Sequence, residues 1–342
     1  MPMPVLENTT RSTRHTSFYL SCGADDATPI IFVHGWPELS ISWRHQLTVF
    51  GGLGFRAIAP DMRGYGRSSV YGRHEDYGQE PIVADMLELL DALGADKAVW
   101  VGHDWGAPVV WSMAQQHPER CHAVAALCVP YHPDGFAVET VVPLVDRGIY
   151  PEDKFPAGQW DYQLFYRENF AAAVEGFERN IPGFVRLAFR AGSPAGKGQP
   201  AITAAIRAQG GWFGPGAGAP DLPRDETVLT EADEHAYASA LKRNGFFGPD
   251  SWYMNAQPNM AYAAKAKSRR LAMPVLFLHA AYDYICATVD TRLADPMRAH
   301  CDNLTEAVVN SGHWMAQEKP REVNAALAQW LAAQAPALWL AD

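Results

Sequence analysis

Short runs of apolar residues recur along the chain without alternating with polar ones. A run of four or five such residues is typical of a strand that helices cover on both faces, as in a parallel sheet. The runs are Ile30–Val33, Arg56–Ala59, Ala98–Val101, Val124–Cys128 and Val275–Leu278. A last strand is predicted over Leu304–Val309.

Apolar residues three and four positions apart predict helices between most of these strands. Pro81–Leu93 has such a stripe and is followed by Gly94, a residue that commonly ends helices. Trp105–His117 and Val323–Ala333 are the other helices predicted outside the middle of the chain. Strands that alternate with helices predict an α/β fold with a mainly parallel sheet.

The alternation stops between Tyr131 and Tyr262. Asp161–Phe170 and Glu231–Asn244 are predicted helices in this region. Ala191–Pro223 is rich in Gly, Ala and Pro and is predicted to be a long loop, a feature that is often functional.

These patterns divide the chain into three parts. We predict a core in two pieces, residues 1–131 and 263–342, interrupted by a helical lid at residues 132–262.

Composition excludes several classes of protein. The 342 residues are 48% apolar and 19% charged, as in an ordinary globular enzyme, and the net charge of −10 does not suit nucleic acid. There is no apolar run of about 18 residues and no apolar signal segment, so we predict a cytoplasmic protein without a membrane span. The five cysteines form no CxxC pair, and we predict neither a metal nor another cofactor. The sequence leaves open whether the chain forms a homodimer.

The segment Gly102-His103-Asp104-Trp105-Gly106 follows a predicted strand and opens a predicted helix. This is the context of a nucleophile elbow, a strained turn that needs small neighbours. Its central residue is Asp104, whose carboxylate is ionised at neutral pH and can attack a carbon atom directly. The residue type therefore favours displacement at carbon, as in epoxide opening or dehalogenation.

The candidate partners of Asp104 follow the last two strands. Asp283 comes just after the strand Val275–Leu278, and His313 follows Gly312 after the final strand. In this chain order, nucleophile, acid and histidine form a triad in which the acid orients the histidine and the histidine activates water. Asp290 and Asp295 are rivals for the acid, but they lie farther from the end of the strand.

The oxyanion of the second step needs N–H donors. His34-Gly35-Trp36-Pro37 follows the strand Ile30–Val33, where the main chain of an α/β-hydrolase contributes one donor. We predict the N–H groups of Trp36 and Trp105 as the pair.

Several further motifs accompany these residues. They are Phe32–Glu38, Trp43–Gln46, Asp61–Ser69, Val101–Pro108, Gly312–Trp314 and Glu318–Asn324. With them, the chain resembles the soluble epoxide hydrolases of the α/β-hydrolase superfamily over nearly its whole length. The resemblance is weakest at the N-terminus and in the loop Ala191–Pro223.

The resemblance implies two lid tyrosines that bind the epoxide oxygen. Asp161–Tyr166 matches the first tyrosine segment and Gly245–Asn255 the second, which places the roles on Tyr162 and Tyr253. Neutral phenols suit an alkoxide leaving group, which departs poorly unless it is hydrogen-bonded or protonated. The rivals are Tyr131, Tyr150 and Tyr166, and candidate pocket walls are Trp160, Trp212 and Trp252.

The expected reaction converts an epoxide and water into a vicinal diol through a hydroxyalkyl ester on Asp104, which water activated by His313 hydrolyses. A haloalkane or haloacid dehalogenase with the same nucleophile is the first alternative, although Trp36 replaces the Asn often found in haloalkane dehalogenases. A non-catalytic receptor for a small molecule is an alternative of another class. A serine esterase is disfavoured because the chain has no Gly-x-Ser-x-Gly.

Overall fold

The computed structural model describes residues 4–339. In this range eight strands form a single sheet with the spatial order β1-β2-β4-β3-β5-β6-β7-β8. The strands are β1 Leu6–Arg11, β2 Thr16–Cys22, β3 Pro29–Val33, β4 Arg56–Pro60, β5 Ala98–His103, β6 Cys121–Leu127, β7 Leu271–Ala280 and β8 Cys301–Val309. From β4 to β8 all neighbours are parallel, while β1 pairs with β2 and β2 with β4 in antiparallel fashion.

The α/β fold with a mainly parallel sheet is confirmed, β3 to β7 lie where the apolar runs predict them, and β8 includes the predicted last strand. The hairpin of β1 and β2 was not predicted. Strand β1 is a polar edge strand whose residues are exposed or half-buried, so it lacks the continuous apolar run of a central strand. Such edges give a weak signal because only one neighbour and little of the core define them.

Helices cover the sheet and fill the connection between β6 and β7. They are α1 Arg44–Gly52, α2 Gln79–Ala92, α3 Gly106–Gln116, α4 Val138–Val141, α5 Asp161–Glu178, α6 Ile181–Ala188, α7 Glu231–Asn244, α8 Phe247–Ser251, α9 Ala256–Ala264, α10 Asp295–His300, α11 Met315–Glu318 and α12 Pro320–Gln334. No helix within residues 4–339 is long and apolar enough to cross a membrane.

The connection between β6 and β7, residues 128–270, is called the inserted segment below. It contains α4 to α9, and the stretch predicted as a long loop has only short 3-10 turns, at Pro194–Gly196 and Ile202–Ala205. Helix α7 matches its predicted bounds because a capping box of Thr230 and Asp233 begins it and Gly245 ends it. The predicted division at residue 262 falls inside α9, and the three-part division of the chain stays a prediction.

Parallel strands place the candidate residues at one edge of the sheet. Val33 at the end of β3 pairs with Gly102 on β5, and Ala280 at the end of β7 pairs with Val309 at the end of β8. The residues that follow these strands therefore start from neighbouring points at the carboxyl edge, where α/β folds bind their ligands.

The glycines around residue 104 allow backbone segments to approach one another closely. A Cβ atom on Gly106 would lie 2.1 Å from the carbonyl oxygen of Val33, and one on Gly102 would lie 2.4 Å from the carbonyl oxygen of Gly106. These neighbours are main-chain atoms, so they cannot rotate away. Any side chain at either position must move β3, β5 or α3.

We expect Gly106→Ala to lower the free energy of unfolding by about 3 kcal/mol because the added methyl group overpacks a rigid backbone contact. Gly52→Ala is the control, since a Cβ there meets nothing within 4 Å and α1 favours Ala. Urea denaturation of the two variants measures both values. Equal stability of the two variants would contradict the packing argument.

Candidate functional site

Asp104 lies on the tight turn between β5 and α3 with a φ of 49°, in the left-handed region that few residues other than Gly adopt. The turn packs against the bare backbone of Gly35, where a Cβ atom would come within 2.4 Å of Asp104 Oδ1. The main-chain N–H of Trp36 donates to Asp104 Oδ1 at 2.7 Å. One carboxylate oxygen is thus held by the main chain.

The second oxygen of Asp104 faces His313. His313 Nε2 lies 3.4 Å from Asp104 Oδ2, and its Nδ1 lies 2.6 Å from Asp283 Oδ2. The other oxygen of Asp283 accepts the N–H groups of Ile285 and Cys286. The main chain thus fixes Asp283, and Asp283 fixes the ring of His313. The Nε2 atom of that ring is directed toward Asp104.

The two rival acids lie elsewhere. Asp290 is exposed and pairs with Lys197 at 3.2 Å. Asp295 pairs with Arg292 and Arg298 on the surface. Of the three candidate carboxylates, the one that contacts His313 is therefore Asp283, which the sequence favoured because it comes soonest after the end of the strand.

Charge controls the protonation of this pair. Burial acts to raise the pKa of Asp283, but His313 and the hydrogen bonds that Asp283 accepts lower it below its ordinary value. Burial acts to lower the pKa of His313, but Asp283 and Asp104 raise it well above its ordinary value. Both shifts favour an imidazolium that is hydrogen-bonded to the carboxylate of Asp283.

A second ion pair lies beneath the triad. His103 Nδ1 lies 2.7 Å from Glu38 Oε2, and His103 Nε2 lies 2.8 Å from the carbonyl oxygen of His313. Both neighbours are acceptors, so both ring nitrogens must donate, which requires the imidazolium form. Burial opposes the charges, yet Glu38 raises the pKa of His103 to about 10 and His103 lowers the pKa of Glu38 to about 2.

This pair connects two loops of the site. Glu38 Oε2 also accepts the N–H of Gly35, next to Trp36, at 3.0 Å. The carbonyl oxygen of His313 also accepts a hydrogen bond from the thiol of Cys128 at 3.2 Å. His34 accepts the N–H of Met62, whereas His103 joins the turn at residue 35 to the histidine loop through Glu38.

The inserted segment also contacts the histidine loop. Glu318 Oε2 accepts the N–H of Gly312 at 2.8 Å and the N–H of Gly192 at 3.1 Å. Sequence reasoning missed Glu318 in this role because its two donors are main-chain groups, one of them 126 residues away. The motif that begins at Glu318 was the only available signal.

The two predicted tyrosines come together next to Trp105. Tyr162 is on the first turn of α5, Tyr253 follows α8, and their ring centroids are 5.6 Å apart. The ring of Tyr253 meets Trp105 edge to face at 5.1 Å. Burial first, and the charge of Asp104 in addition, raise the pKa of both phenols, so both are neutral O–H donors at neutral pH.

The rival tyrosines have other contacts. Tyr131 donates to the carbonyl oxygen of Arg269, and Tyr150 accepts the N–H of Ala201. Tyr166 stacks on Tyr253 at 4.5 Å and is fully buried.

A small cavity adjoins Asp104. Its walls include Asp104, Trp105, Phe136, Tyr162 and Cys286. The three tryptophans suggested from the sequence are not in this wall.

Two of those tryptophans belong to the packed interior. Trp160 and Trp252 are fully buried, and Trp252 donates to the carbonyl oxygen of Arg63. Trp212 contacts the ring of Tyr162 at 5.6 Å. The sequence pattern could not separate core from pocket aromatics because both are large, apolar and buried.

Within residues 4–339, two groups of side chains have the spacing of metal ligands, and both include His313. In one group His313 lies near His103 and Cys128, and in the other it lies near Asp283 and Cys286. The ring nitrogens of both histidines already face hydrogen-bonding groups. An ion would have to replace those bonds, so we assign both groups to the hydrogen-bond network.

Fold and site together define an α/β hydrolase with a carboxylate at the nucleophile turn. Residues 28–320 match the family model of the alpha/beta hydrolase fold. The chain is 32% identical over 333 residues to Epoxide hydrolase B of Mycobacterium tuberculosis, covering 90% of this chain and 92% of that protein. Its structure is similar to that of Epoxide Hydrolase A from Mycobacterium thermoresistibile, with a TM-score of 0.77, 30% identity, and coverage of 96% and 98%.

The chain therefore belongs to the epoxide hydrolase family of the alpha/beta hydrolase fold. It is also 33% identical over 303 residues to Bifunctional epoxide hydrolase 2 of Sus scrofa. That match covers 88% of this chain and 51% of the relative, so the chain spans about half the length of the mammalian relatives that it matches.

The buried ion pair gives a prediction on stability and pH. Because the pKa of His103 is raised to about 10, its contribution is fully present below about 6.5 and is lost as the pH rises through about 10. We expect Glu38→Gln to lower the free energy of unfolding by about 3 kcal/mol near pH 6.5, because it leaves a buried charge unpaired.

The difference between the parent and Glu38→Gln should then shrink toward pH 10. Glu119→Gln is the control, since Glu119 forms a surface pair with His117 and its replacement should change little at any pH. Urea denaturation across this pH range provides the measurement. A difference that stays constant up to pH 10.5 would show that the pair is not charged.

Proposed function

We propose that this chain converts epoxides to vicinal diols through an ester on Asp104. The observation that carries the proposal is the unequal environment of the two carboxylate oxygens. Oδ1 accepts the N–H of Trp36, while Oδ2 lies 3.4 Å from His313, and Asp104 and Tyr162 both line the adjacent cavity. We assign Oδ2 as the nucleophilic oxygen and Oδ1 as the future carbonyl oxygen.

In the first step the phenols of Tyr162 and Tyr253 bind the epoxide oxygen. Oδ2 forms a bond to one ring carbon as the C–O bond of the ring breaks, and a phenol transfers its proton to the new alkoxide. Gln163 donates to the oxygen of Tyr162 at 3.3 Å, which leaves the proton of that phenol able to donate. The imidazolium of His313 then gives its proton to the phenolate, which leaves His313 neutral.

Esterification prepares the second step. Asp104 loses its charge, and with it one of the interactions that raise the pKa of His313. A neutral imidazole oriented by Asp283 can then take a proton from water while the hydroxide attacks the ester carbonyl. The oxyanion forms on Oδ1, where the Trp36 N–H already points, with the Trp105 N–H as the proposed second donor. Collapse of the tetrahedral intermediate expels the alkoxide, which takes a proton from the imidazolium of His313 and leaves as the diol. The carboxylic acid formed on Asp104 then gives its proton to His313.

The inserted segment supplies Tyr162 and Tyr253, so we propose that residues 132–262 form a lid that completes the site.

Dehalogenation is the competing chemistry for the same nucleophile. The indole N–H of Trp36 donates to Asp250 at 2.8 Å and is thus already occupied, which disfavours it as a halide donor.

The class is tested by diol formation from a panel of aryl and alkyl epoxides, with His313→Gln beside the parent. Loss of the general base should slow ester hydrolysis by about 10²–10⁴-fold. We expect diol from the parent, and in the variant a covalent mass increase on the peptide that contains Asp104. The control His235→Gln alters an exposed histidine and should match the parent. Halide release from haloalkanes, with no diol from any epoxide, would instead support dehalogenation.

The tyrosines are tested through the first step. Tyr162→Phe and Tyr253→Phe should each slow ester formation by about 10–100-fold, because each removes one hydrogen bond to the developing alkoxide. Tyr131→Phe is the control, since its hydroxyl binds Arg269. Single-turnover kinetics separate ester formation from hydrolysis. If both variants form ester at the rate of the parent, the epoxide oxygen is bound by other groups.

A further inference from the structure

A buried carboxyl group outside the triad contacts the oxyanion turn. Asp250 lies on α8, is fully buried, and accepts the indole N–H of Trp36 on Oδ1 at 2.8 Å. Its second oxygen makes no hydrogen bond within residues 4–339. The contact joins the inserted segment to the core across 214 residues of sequence.

In the part of the chain that the structure describes, no cationic side chain interacts with Asp250. The ionisable groups whose charges interact with it are Glu178, which repels an anion, and the phenols of Tyr65 and Tyr166. Burial first, with Glu178 adding to it, raises the pKa of Asp250 well above its ordinary value. A buried carboxylate with one hydrogen bond and no cation is costly, so the neutral acid is the stable form.

Trp36 is fixed at both ends of the residue. Its main-chain N–H donates to Asp104 Oδ1, and its indole N–H donates to Asp250 Oδ1. Between these bonds the indole ring packs edge to face on Tyr253 at 6.1 Å and on Phe177 at 5.4 Å. Asp250 thus helps to fix the rotation of the indole ring of the residue whose main-chain N–H faces Asp104.

We propose that Asp250 is a positioning residue whose neutral carboxyl group holds Trp36 so that the main-chain N–H of Trp36 faces Oδ1 of the Asp104 ester. This proposal rests on the proposed function. Because the oxyanion develops on Oδ1 only during hydrolysis, Asp250 should affect the breakdown of the ester more than its formation.

Three variants separate acceptor, charge and packing at this contact. Asp250→Asn keeps a carbonyl acceptor in a neutral side chain, Asp250→Leu keeps the volume without an acceptor, and Trp36→Phe removes the indole donor. Single-turnover kinetics with an epoxide that the parent turns over measure ester formation and ester hydrolysis separately.

We expect Asp250→Asn to hydrolyse the ester within about twofold of the parent. Asp250→Leu and Trp36→Phe should each slow hydrolysis by about tenfold, as expected for one lost hydrogen bond, with a smaller effect on ester formation. In the background of Trp36→Phe, Asp250→Leu should add less than about twofold, since the two groups act through the same bond.

Two results would overturn the proposal. The first is a folded Asp250→Leu variant whose effect on ester hydrolysis does not depend on Trp36. In that case, Asp250→Leu slows hydrolysis as much in the Trp36→Phe background as it does in the parent. The second is an Asp250→Asn as slow as Asp250→Leu, which would mean that a charged carboxylate is required. A parent that forms neither ester nor diol would instead refute the proposed function.

Discussion

Residue 104 can adopt its left-handed backbone only because three neighbouring positions lack a side chain. Gly102 and Gly106 let β5, α3 and β3 approach one another, and Gly35 lets the adjacent turn lie directly against the carboxylate. The same approach brings the N–H of Trp36 within 2.7 Å of Asp104 Oδ1. The strain of the turn and the contact between Trp36 and Asp104 therefore have one cause, which is close packing of main-chain atoms at the end of a parallel sheet.

The position of the His313 imidazole depends on this turn, because groups connected to the turn hold the backbone of His313 in place. His103 and Cys128 both donate to its carbonyl oxygen, while Glu318 accepts the N–H of Gly312 just before it. The side chain then needs only Asp283 to fix its orientation. Since His103 is also bound to Glu38, which accepts the N–H of Gly35, movement of either loop is transmitted to the other. The distance between His313 and Asp104 is thus set by a network rather than by one bond.

What the sequence could predict followed from local patterns. Apolar runs located β3 to β7, and the residues that follow the ends of these strands, such as Asp104 and Asp283, were predicted to lie together because parallel strands end at one edge of the sheet. The polar edge strand β1 has no such run. Asp250 and Trp36 lie 214 residues apart, and neither has a neighbour in sequence that indicates the other. The roles of Tyr162 and Tyr253 were predicted through resemblance alone, because a buried phenol in a helical segment has no pattern that separates binding from packing.

The buried carboxyl groups around Asp104 show how environment assigns chemical roles. Glu38 and Asp283 each face an imidazolium, and their pKa values fall despite burial. Asp250 is equally buried but receives only a neutral indole N–H, and its pKa rises. The first two carboxyl groups each hold an imidazole partner by a short hydrogen bond. In the proposed mechanism, a charged group at residue 250 would add an anion behind Trp36, whereas a neutral acceptor there suits an oxyanion that forms at Oδ1.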